Sequence, residues 1–255
     1  MRGDILKKKL MVLCAVAIMI STCLTGCKMN SGKIRFGSAG IGGTYQIFGD
    51  TFANLISSKS KKYNIEVKTT AGSAANLRLL SKDYIQMAVA QMDLINDAYN
   101  RTGIFENDKK YQGYRAVASL YTEACQIVVP ADSDIQSMDD LEGKKVCIGE
   151  EESGTEQNAL QILNAYGLNE RLVDTVNLNY TDAAKKLKSG DIDAFFCTAG
   201  VQTTVINELS KQCKIRLVSL DQKGVSRLKK SYKFYTEYTL SLIHISEPTR
   251  LLSIS

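Results

Sequence analysis

Short apolar segments that suit β-strands alternate with amphipathic segments that suit α-helices along most of this chain. Before residue 130 the predicted strands are 33–37, 65–69, 85–90, 115–120 and 125–129, and the predicted helices are 45–56, 74–81 and 92–99. After it the predicted strands are 145–149, 173–178, 192–197 and 215–219, and the predicted helices are 155–166, 182–188 and 203–210. This alternation predicts an α/β fold. Two such blocks predict two lobes with a cleft between them.

The two blocks set the domain boundaries. We assign residues 33–128 and 220–240 to the first lobe and residues 129–219 to the second. Residues 241–255 show neither a helical nor a strand period, and they resemble a translated sequencing adapter. We therefore interpret them as a non-native tail and leave them out of the fold. His244, the single histidine of the chain, belongs to that tail.

The first 26 residues predict a secretory signal peptide. Basic residues precede an uncharged apolar run at 10–23, which is short for a bilayer span of ~20 residues. The run ends in Leu-Thr-Gly-Cys, which resembles the bacterial lipobox and implies cleavage before Cys27 and a lipid on its sulfur. The alternative is a chance cysteine after an ordinary signal peptide. With residues 27–32 as a lipid-anchored spacer, the protein is expected outside the cytoplasm, in the periplasm or on the outer face of the cell membrane.

The charge of the chain is weaker than its total suggests. The net charge is +5, and the signal peptide holds four basic residues and Asp4, a net of +3, which leaves about +2 for the rest. A balance this close to neutral gives no reason to expect nucleic acid as a partner.

Four cysteines follow the lipobox, namely Cys125, Cys147, Cys197 and Cys213. None of them forms a C-x-x-C pair, and a single histidine leaves little for a zinc site, so we predict no metal. Each lies in an apolar stretch, which favours small buried thiols, although disulfides are permitted outside the cell.

The loop Gly37–Tyr45 is rich in glycine, follows a predicted strand and opens a predicted helix. Glycines let the backbone approach a ligand closely, and free N–H groups at a helix start attract an anion. A dinucleotide fingerprint would need glycine in place of Tyr45, and a phosphate-binding P-loop would need lysine in place of Gly43. A small carboxylate or similar anion remains, with a tight turn that binds nothing as the alternative.

Two further loops of the first block carry polar side chains next to predicted helices. The loop Thr69–Leu77 holds Ser73, which suits a helix cap, and Asn76 one turn further on the same side. Gln91 and Asp93 follow a buried strand, where polar residues point into the crevice of an open α/β sheet.

The second block adds the loops Ser153–Glu156 and Thr198–Gln202. Ser153 and Glu156 have the spacing of a capping box, so helix capping competes with ligand contact as their role. Three of the five loops look like helix N-termini that follow strands, and each such terminus favours a charge by ~0.3–1 kcal/mol. Several that converge in one cleft predict an anion site.

Catalytic motifs give no support to an enzyme. The sequence has no G-x-S-x-G elbow, and its histidine lies in the tail, which leaves none for a triad. The run Glu150–Glu152 could suggest a metal, but such a run is more typical of a solvated loop. We therefore predict a non-enzyme without a cofactor.

Six segments together make the chain resemble the TAXI family of solute receptors of TRAP transporters. They are GSAGIGGTYQIFG (37–49), TTAGSAANLRLL (69–80), MAVAQMD (87–93), YRAVASLYTEACQIVV (114–129), ESGTEQNALQIL (152–163) and LKSGDIDAFFCTAG (187–200). The resemblance covers about residues 33–240 and implies a two-lobed periplasmic-binding-protein fold of type II. It also implies capture of a small organic anion, such as glutamate or 2-oxoglutarate, and delivery to an ion-gradient-driven membrane permease.

The same resemblance implies ligand-binding residues from both lobes. These are Gly43, Thr44, Tyr45, Ser73, Asn76, Gln91 and Asp93 from the first lobe, and Ser153, Thr155, Glu156, Thr198 and Gly200 from the second. The loop at Tyr45 would meet the ligand carboxylate, Gln91 and Asp93 would read the polar end of the ligand, and Asp93 could pair with an amino group. Glu123, at the junction of the lobes, is a weaker candidate.

The sequence departs from the family at two places. Gln46 and Ile47 stand where the family often has a second aromatic residue and a proline, which leaves the ligand open. After Leu240 the family continues with further helices of the first lobe, so we expect that lobe to be C-terminally truncated here. Two other functions stay open, namely a substrate receptor of an ABC importer and a surface enzyme such as a transferase.

Overall fold

The computed structural model describes residues 32–109, 111–201, 203–240 and 249–254, the last of these by backbone alone. The predicted signal peptide, Cys27 and His244 lie outside the described residues. Within the described ranges, no helix combines the length and the apolar character that crossing a bilayer requires.

The first lobe is a three-stranded parallel sheet with helices between its strands. Strand β1 (Lys33–Gly37) lies in the centre, between β2 (Asn64–Lys68) and β3 (Met87–Ala88). Parallel strands need crossover connections, and helices α1 (Thr44–Lys59) and α2 (Ser73–Ser81) supply them, followed by α3 (Met92–Asn100) and a short 3-10 helix (Gly103–Phe105). Phe36, Leu77 and Leu94 are among the buried apolar residues of this lobe.

The second lobe is a larger mixed sheet. Its strands are β4 (Glu123–Pro130), β5 (Lys145–Cys147), β6 (Asp174–Val176), β7 (Ala194–Ala199), β8 (Ile215–Leu217), β9 (Tyr235–Leu240) and β10 (Thr249–Ile254). Its helices are α4 (Gly154–Ala165), α5 (Tyr180–Ser189), α6 (Thr204–Gln212) and α7 (Gln222–Ser231), with a 3-10 turn at Asp139–Leu141. The order is β6-β5-β7-β4-β10-β9, and β8 also pairs with β4.

Strand β4 explains how the second core is organised. It is antiparallel to β7, β8 and β10, and its residues from Glu123 to Val129 are buried. Because successive strand residues face opposite sides, Ile127 and Val129 contribute to one apolar cluster and Val128 to another. Helices therefore cover both faces of this sheet, which accounts for the burial of β4 on both sides, its polar residue Gln126 included.

Three differences from the sequence predictions concern the elements themselves. The strand predicted at 115–120 is irregular backbone, and Val117 is 84% exposed, because no sheet neighbour is there to pair with it. The strand predicted at 85–90 is shortened to the two residues of β3. Residues 249–254, which we left out of the fold, form β10 between β4 and β9. That the tail is non-native stays a prediction from the sequence.

A further difference concerns the segment 220–240, which we assigned to the first lobe. In the structure α7 packs against α4 of the second lobe, and Val225, Leu228 and Tyr235 belong to a cluster of the second core. The physical reason is the apolar face of α7, whose buried residues complete that core. Strand β4 likewise lies wholly in the second sheet, so the two lobes divide near residue 122.

The thiols follow the prediction of small buried side chains in three of four cases. Cys125, Cys147 and Cys197 are buried and free, and Cys213 is half-buried and free. Burial raises the pKa of all three buried thiols, that of Cys197 to about 12, so they stay protonated and serve as apolar core atoms.

Candidate functional site

A cavity of about 40 Å³ lies between the two lobes, with space for about three water molecules. All five polar loops that the sequence singled out contribute to its wall. The lining residues are Ala39, Gly40, Gly43, Thr44, Tyr45, Ala71, Gly72, Ser73, Gln91, Glu123, Glu150, Ser153, Gly154, Thr155, Leu178, Asn179, Tyr180, Thr198 and Ala199. The convergence follows from the fold, since the carboxyl ends of parallel strands meet at one edge of a sheet.

Five helices begin at this cavity. The residues that precede α1, α2, α3, α4 and α5 are Gly43, Gly72, Gln91, Ser153 and Asn179, and all five line the wall. The first N–H groups of a helix lack partners within the helix, and its N-terminus carries about half a positive charge. The wall therefore presents several partial positive charges without a single formal cation.

Glu123 supplies one of two negative groups in the wall. It opens strand β4 at the junction of the lobes and is only 5% exposed. Its carboxylate accepts hydrogen bonds from the Tyr45 hydroxyl at 3.0 Å and the Tyr121 hydroxyl at 3.4 Å. Burial raises the pKa of Glu123 to about 7, while hydrogen bonds from Gln91, Tyr45 and Tyr121 oppose that rise. Glu150 is the second negative group, half-buried, with its pKa raised by burial and by Asp182.

A buried polar network joins the lobes beneath the cavity. The Gln91 side-chain Nε2 donates to Asn158 Oδ1 of α4 at 3.1 Å. Asn158 Nδ2 in turn donates to the Asp93 carboxylate at 3.3 Å and to the Tyr235 hydroxyl oxygen at 2.9 Å. Burial raises the pKa of Asp93 to about 6. These bonds connect α3 of the first lobe to α4 and β9 of the second.

Three further bonds join the lobes at two other places. The Arg78 guanidinium of α2 lies 2.9 Å from the Glu152 carboxylate of the second lobe, and the Ala75 N–H donates to the Glu152 carbonyl oxygen at 3.2 Å. The Thr181 hydroxyl of α5 donates to the Ile41 carbonyl oxygen of the glycine-rich loop at 3.2 Å. The structure is thus a closed arrangement, and a ligand of more than a few atoms needs the lobes further apart to enter.

The structure brings most of the predicted site residues together. Eight of the twelve line the cavity, namely Gly43, Thr44, Tyr45, Ser73, Gln91, Ser153, Thr155 and Thr198. Ser73 does not cap its own helix, because its hydroxyl oxygen accepts from the Gln91 N–H at 3.1 Å. Thr155 bonds to the Tyr180 hydroxyl, and the Thr198 N–H donates to Thr155 Oγ1 at 3.4 Å. Their roles toward a ligand stay predictions.

Four predicted residues lie outside the cavity wall. Asn76 is fully buried and donates to the Ser38 and Val89 carbonyl oxygens, so it holds the backbone beneath the wall. The Asp93 oxygens accept from Leu94 and Asn158. Gly200 directly follows strand β7 and is not a wall residue, whereas Ala199, the last residue of that strand, is one.

Glu156 serves helix α4 rather than the cavity. The Ser153 hydroxyl oxygen accepts from the Glu156 N–H at 3.0 Å, as the spacing of the capping box predicts. The reciprocal bond is shifted by one residue, since the Glu156 carboxylate accepts from the Glu152 N–H at 2.8 Å. Capping thus accounts for Glu156, whereas Ser153 both caps the helix and lines the cavity.

Sequence reasoning missed several wall residues, above all Glu150, Asn179 and Tyr180. We took the run at Glu150 for a solvated loop, which holds for the exposed Glu151 but not for the other two. Asn179 carried a signal that could have been used. It stands three residues before Asp182, follows a strand and accepts from the Asp182 N–H, which is the arrangement of an N-cap.

Comparison with known proteins places the chain in a family. The sequence model of the NMT1-like family matches residues 36–242. The chain belongs to the NMT1-like family. That match spans both lobes of this NMT1-like protein, including every wall residue of the cavity.

Solved structures similar to this NMT1-like protein are named as ABC transporter proteins or as binding proteins. One is the binding protein component of an ABC phosphonate transporter from Pseudomonas aeruginosa, at 12% identity and a TM-score of 0.52, covering 78% of this chain and 73% of that one. Another is a putative L-cystine ABC transporter protein from Listeria monocytogenes, at 16% identity and a TM-score of 0.50, covering 88% and 83%. The periplasmic aliphatic sulphonate binding protein of Escherichia coli matches at 14% identity and a TM-score of 0.46, covering 88% of this chain, which spans 65% of its length.

These matches bear on the fold. Because the identities are low, they show the fold alone. The NMT1-like protein has the two-lobed periplasmic-binding-protein fold of type II, as the sequence predicted.

Within the described residues no group of three potential metal ligands occurs.

Proposed function

We propose that this NMT1-like protein is an extracytoplasmic solute receptor that captures a small organic acid between its lobes and delivers it to a membrane transporter. One observation carries the proposal: five helices begin at a single cavity between two lobes. Family membership and the fold support it, since the similar structures are binding components of transporters. A receptor of this kind captures its solute by domain closure.

The helix N-termini suit a carboxylate as the part of the ligand that they hold. Each terminus favours an anion by ~0.3–1 kcal/mol, and the low dielectric of a closed cleft strengthens the attraction. Gly43 directly precedes α1 and Gly154 opens α4, so both glycines place helix-start backbone in the cavity wall. Amino acids such as glutamate and 2-oxo acids such as 2-oxoglutarate are therefore the first ligands to test.

The transporter that receives the solute has two candidates. The similar structures are named for ABC transporters, which favours an ABC importer. The six sequence segments shared with TAXI receptors favour a TRAP permease instead. Uptake of a bound solute into vesicles that hold the permease encoded next to this protein's gene separates the two. An ABC importer requires ATP, whereas a TRAP permease requires an ion gradient.

A pair of N-cap variants tests the solute-binding role. Ser153→Ala and Asp221→Ala each remove the side chain that caps a helix, at the cavity for Ser153 and away from it for Asp221. We expect each variant to lose about 1 kcal/mol of stability. Only Ser153→Ala should weaken ligand binding, by about tenfold, because it loosens the amides that face the ligand. Isothermal calorimetry with amino acids and 2-oxo acids measures the affinities.

Two results of that experiment would contradict the proposal. One is the absence of binding or of a ligand-induced rise in melting temperature with every member of the panel, since a ligand at a hundred times its Kd stabilises by about 2.7 kcal/mol. The other is an equal loss of affinity in both variants, which would place the ligand away from the cavity.

We also propose that Cys27 carries a lipid that tethers the receptor to the membrane. The support is the Leu-Thr-Gly-Cys sequence after an apolar run with a basic start. Radiolabelled palmitate fed to expressing cells should label the wild-type protein and leave Cys27→Ser unlabelled and released from the membrane fraction. Label on Cys27→Ser, or none on the wild type, would remove the anchor from the proposal.

A further inference from the structure

The ionisable side chains that could charge the described cavity wall are acidic, and none of them is basic. Glu123 and Glu150 both line it, whereas the wall residues within the described part of the chain include no lysine, arginine or histidine. A ligand that carried only negative charge would meet two carboxyl groups without a formal cation to offset them. The helix N-termini attract one carboxylate, but they do not explain why the wall holds acids as well.

Glu123 is the acid on which the inference depends, because the groups that hydrogen-bond to it are neutral. The carboxylate is buried and accepts from two tyrosine hydroxyls. A buried carboxylate without a cationic partner is costly, and proteins normally pair or neutralise it. Hydrogen bonds from two neutral hydroxyls favour the ionised form and hold the carboxylate at the cavity in place, yet neither supplies a positive charge.

Gln91 adds an independent observation. Its side chain is 5% exposed and lines the cavity, and its Oε1 atom is buried without a hydrogen-bond donor among the described residues. The other end of the amide is fixed, since Nε2 donates to Asn158. An amide oxygen without a partner and a buried carboxylate in the same cavity wall suit a group that brings several N–H donors at once, as an ammonium does.

We propose that the ligand carries a protonated amine, which is received by Glu123 and Gln91 of the same wall, and that this receptor selects amino acids over their 2-oxo analogues. The inference rests on the proposed function and names its substrate class. It assigns the amine to Glu123 instead of Asp93, which the family resemblance implied could pair with an amino group, because the oxygens of Asp93 are bonded below the wall. Helix N-termini for a carboxylate and Glu123 for an amine together match a zwitterion.

Calorimetry with matched ligand pairs tests this directly. The probes are the proteinogenic amino acids and their 2-oxo analogues, starting with L-glutamate and 2-oxoglutarate, on the wild type, Glu123→Gln and the control Glu151→Gln. Glu151 is a neighbouring acid that is exposed and lies outside the wall. We expect the wild type and Glu151→Gln to bind an amino acid at least tenfold more tightly than its 2-oxo analogue. Glu123→Gln should lose about a hundredfold in amino-acid affinity and little for the 2-oxo acid.

The outcomes separate this inference from the proposed function. A 2-oxo acid that binds as tightly as its amino acid, or an unchanged amino-acid affinity in Glu123→Gln, overturns the amine assignment and leaves the receptor function standing. Absence of binding by every member of both series overturns the receptor function, and the amine assignment with it.

Melting of both proteins over a range of pH would check that Glu123→Gln still folds, and it reports on the same carboxyl. Because the pKa of Glu123 is raised to about 7, the folded wild type holds this proton longer than the unfolded chain does. The contribution of Glu123 to stability therefore falls as pH rises from about 4 to about 7. Glu123→Gln should melt higher than the unliganded wild type at about pH 8 and at the same temperature at about pH 4.5. The titratable groups that act on Glu123 or sense its charge are Tyr45, Asp93, Tyr121, Cys125, Tyr180 and Cys197.

Ligand binding should show the opposite dependence on pH. An ionised Glu123 attracts an ammonium more strongly than the neutral acid does, so amino-acid affinity of the wild type should rise between about pH 5.5 and about pH 8. The affinity of Glu123→Gln should stay level over the same range. A parallel rise in both proteins would assign the dependence to another group and contradict the inference.

Discussion

Gly149→Ala is expected to cost about 3 kcal/mol of stability and to abolish ligand binding. Gly149 has a φ of +99°, in the left-handed region, where a side chain costs ~1–2 kcal/mol. A Cβ there would lie 2.8 Å from the Thr155 Cβ and 2.9 Å from the Ser153 Oγ. Overpacking of this kind costs a further ~1–3 kcal/mol. Both neighbours are wall residues, so the loop that presents them to a ligand has to move.

Gly143→Ala is the matched control for this variant. Gly143 also has a positive φ, of +73°, but a Cβ there meets nothing within 4 Å. It should therefore lose only the backbone part, about 1 kcal/mol, and keep its ligand affinity. Urea unfolding gives the free energies, and calorimetry gives the affinities. Equal losses of stability in the two variants would show that the crowding at Gly149 is relieved without cost.

Asn76→Ala should lose about 3 kcal/mol, a second large effect with a different cause. Asn76 Nδ2 donates to the carbonyl oxygens of Ser38 at 2.7 Å and Val89 at 2.8 Å, and its Oδ1 accepts from the Thr70 hydroxyl at 2.8 Å. Removal of the amide takes away its bond to the Val89 carbonyl oxygen and one of two donors to the Ser38 carbonyl oxygen, which keeps the Thr70 hydroxyl at 3.0 Å. A buried group left unpaired costs about 1–3 kcal/mol, and the emptied space adds to the loss. The bonds tie the ends of β1 and β3 to α2 and to the loop before it.

The control for Asn76 is Asn100→Ala, whose amide is exposed and bonds only within its own helix. That change should stay within about 0.5 kcal/mol. Thermal and urea unfolding of both variants measures the difference. If Asn76→Ala instead keeps its stability and loses only affinity, Asn76 contacts the ligand as the sequence predicted, and the supporting role derived from its contacts is wrong.

The position of the site could be predicted from the sequence because it depends on the chain path. A glycine-rich loop after β1, a Ser-Gly-Thr loop before α4 and polar residues after β3 all follow strands, and strand ends share one edge of a sheet. The sequence does not determine which side chain of such a loop faces outward. Asn76 and Asp93 have the right chemistry at the right loops, yet backbone carbonyls and Asn158 engage them first.

The limits on predicting the fold have a similar origin. Strands and helices follow from local periodicity, whereas the lobe that a late segment joins depends on distant surfaces. Helix α7 has one apolar face, and only the structure shows that α4 is the surface that it covers. In the same way, the sequence predicts a solvated run at Glu150, whereas in the structure Glu150 lines the cavity wall.

The contacts that join the lobes have a kinetic consequence. Arg78–Glu152 and Ile41–Thr181 hold the closed form at two separate places, with Gln91–Asn158 between the lobes as well. Escape of a captured solute has to wait until these bonds open, so opening of the lobes should limit the rate of release. A transporter that breaks any one of these interlobe contacts would then accelerate release of the solute from the receptor.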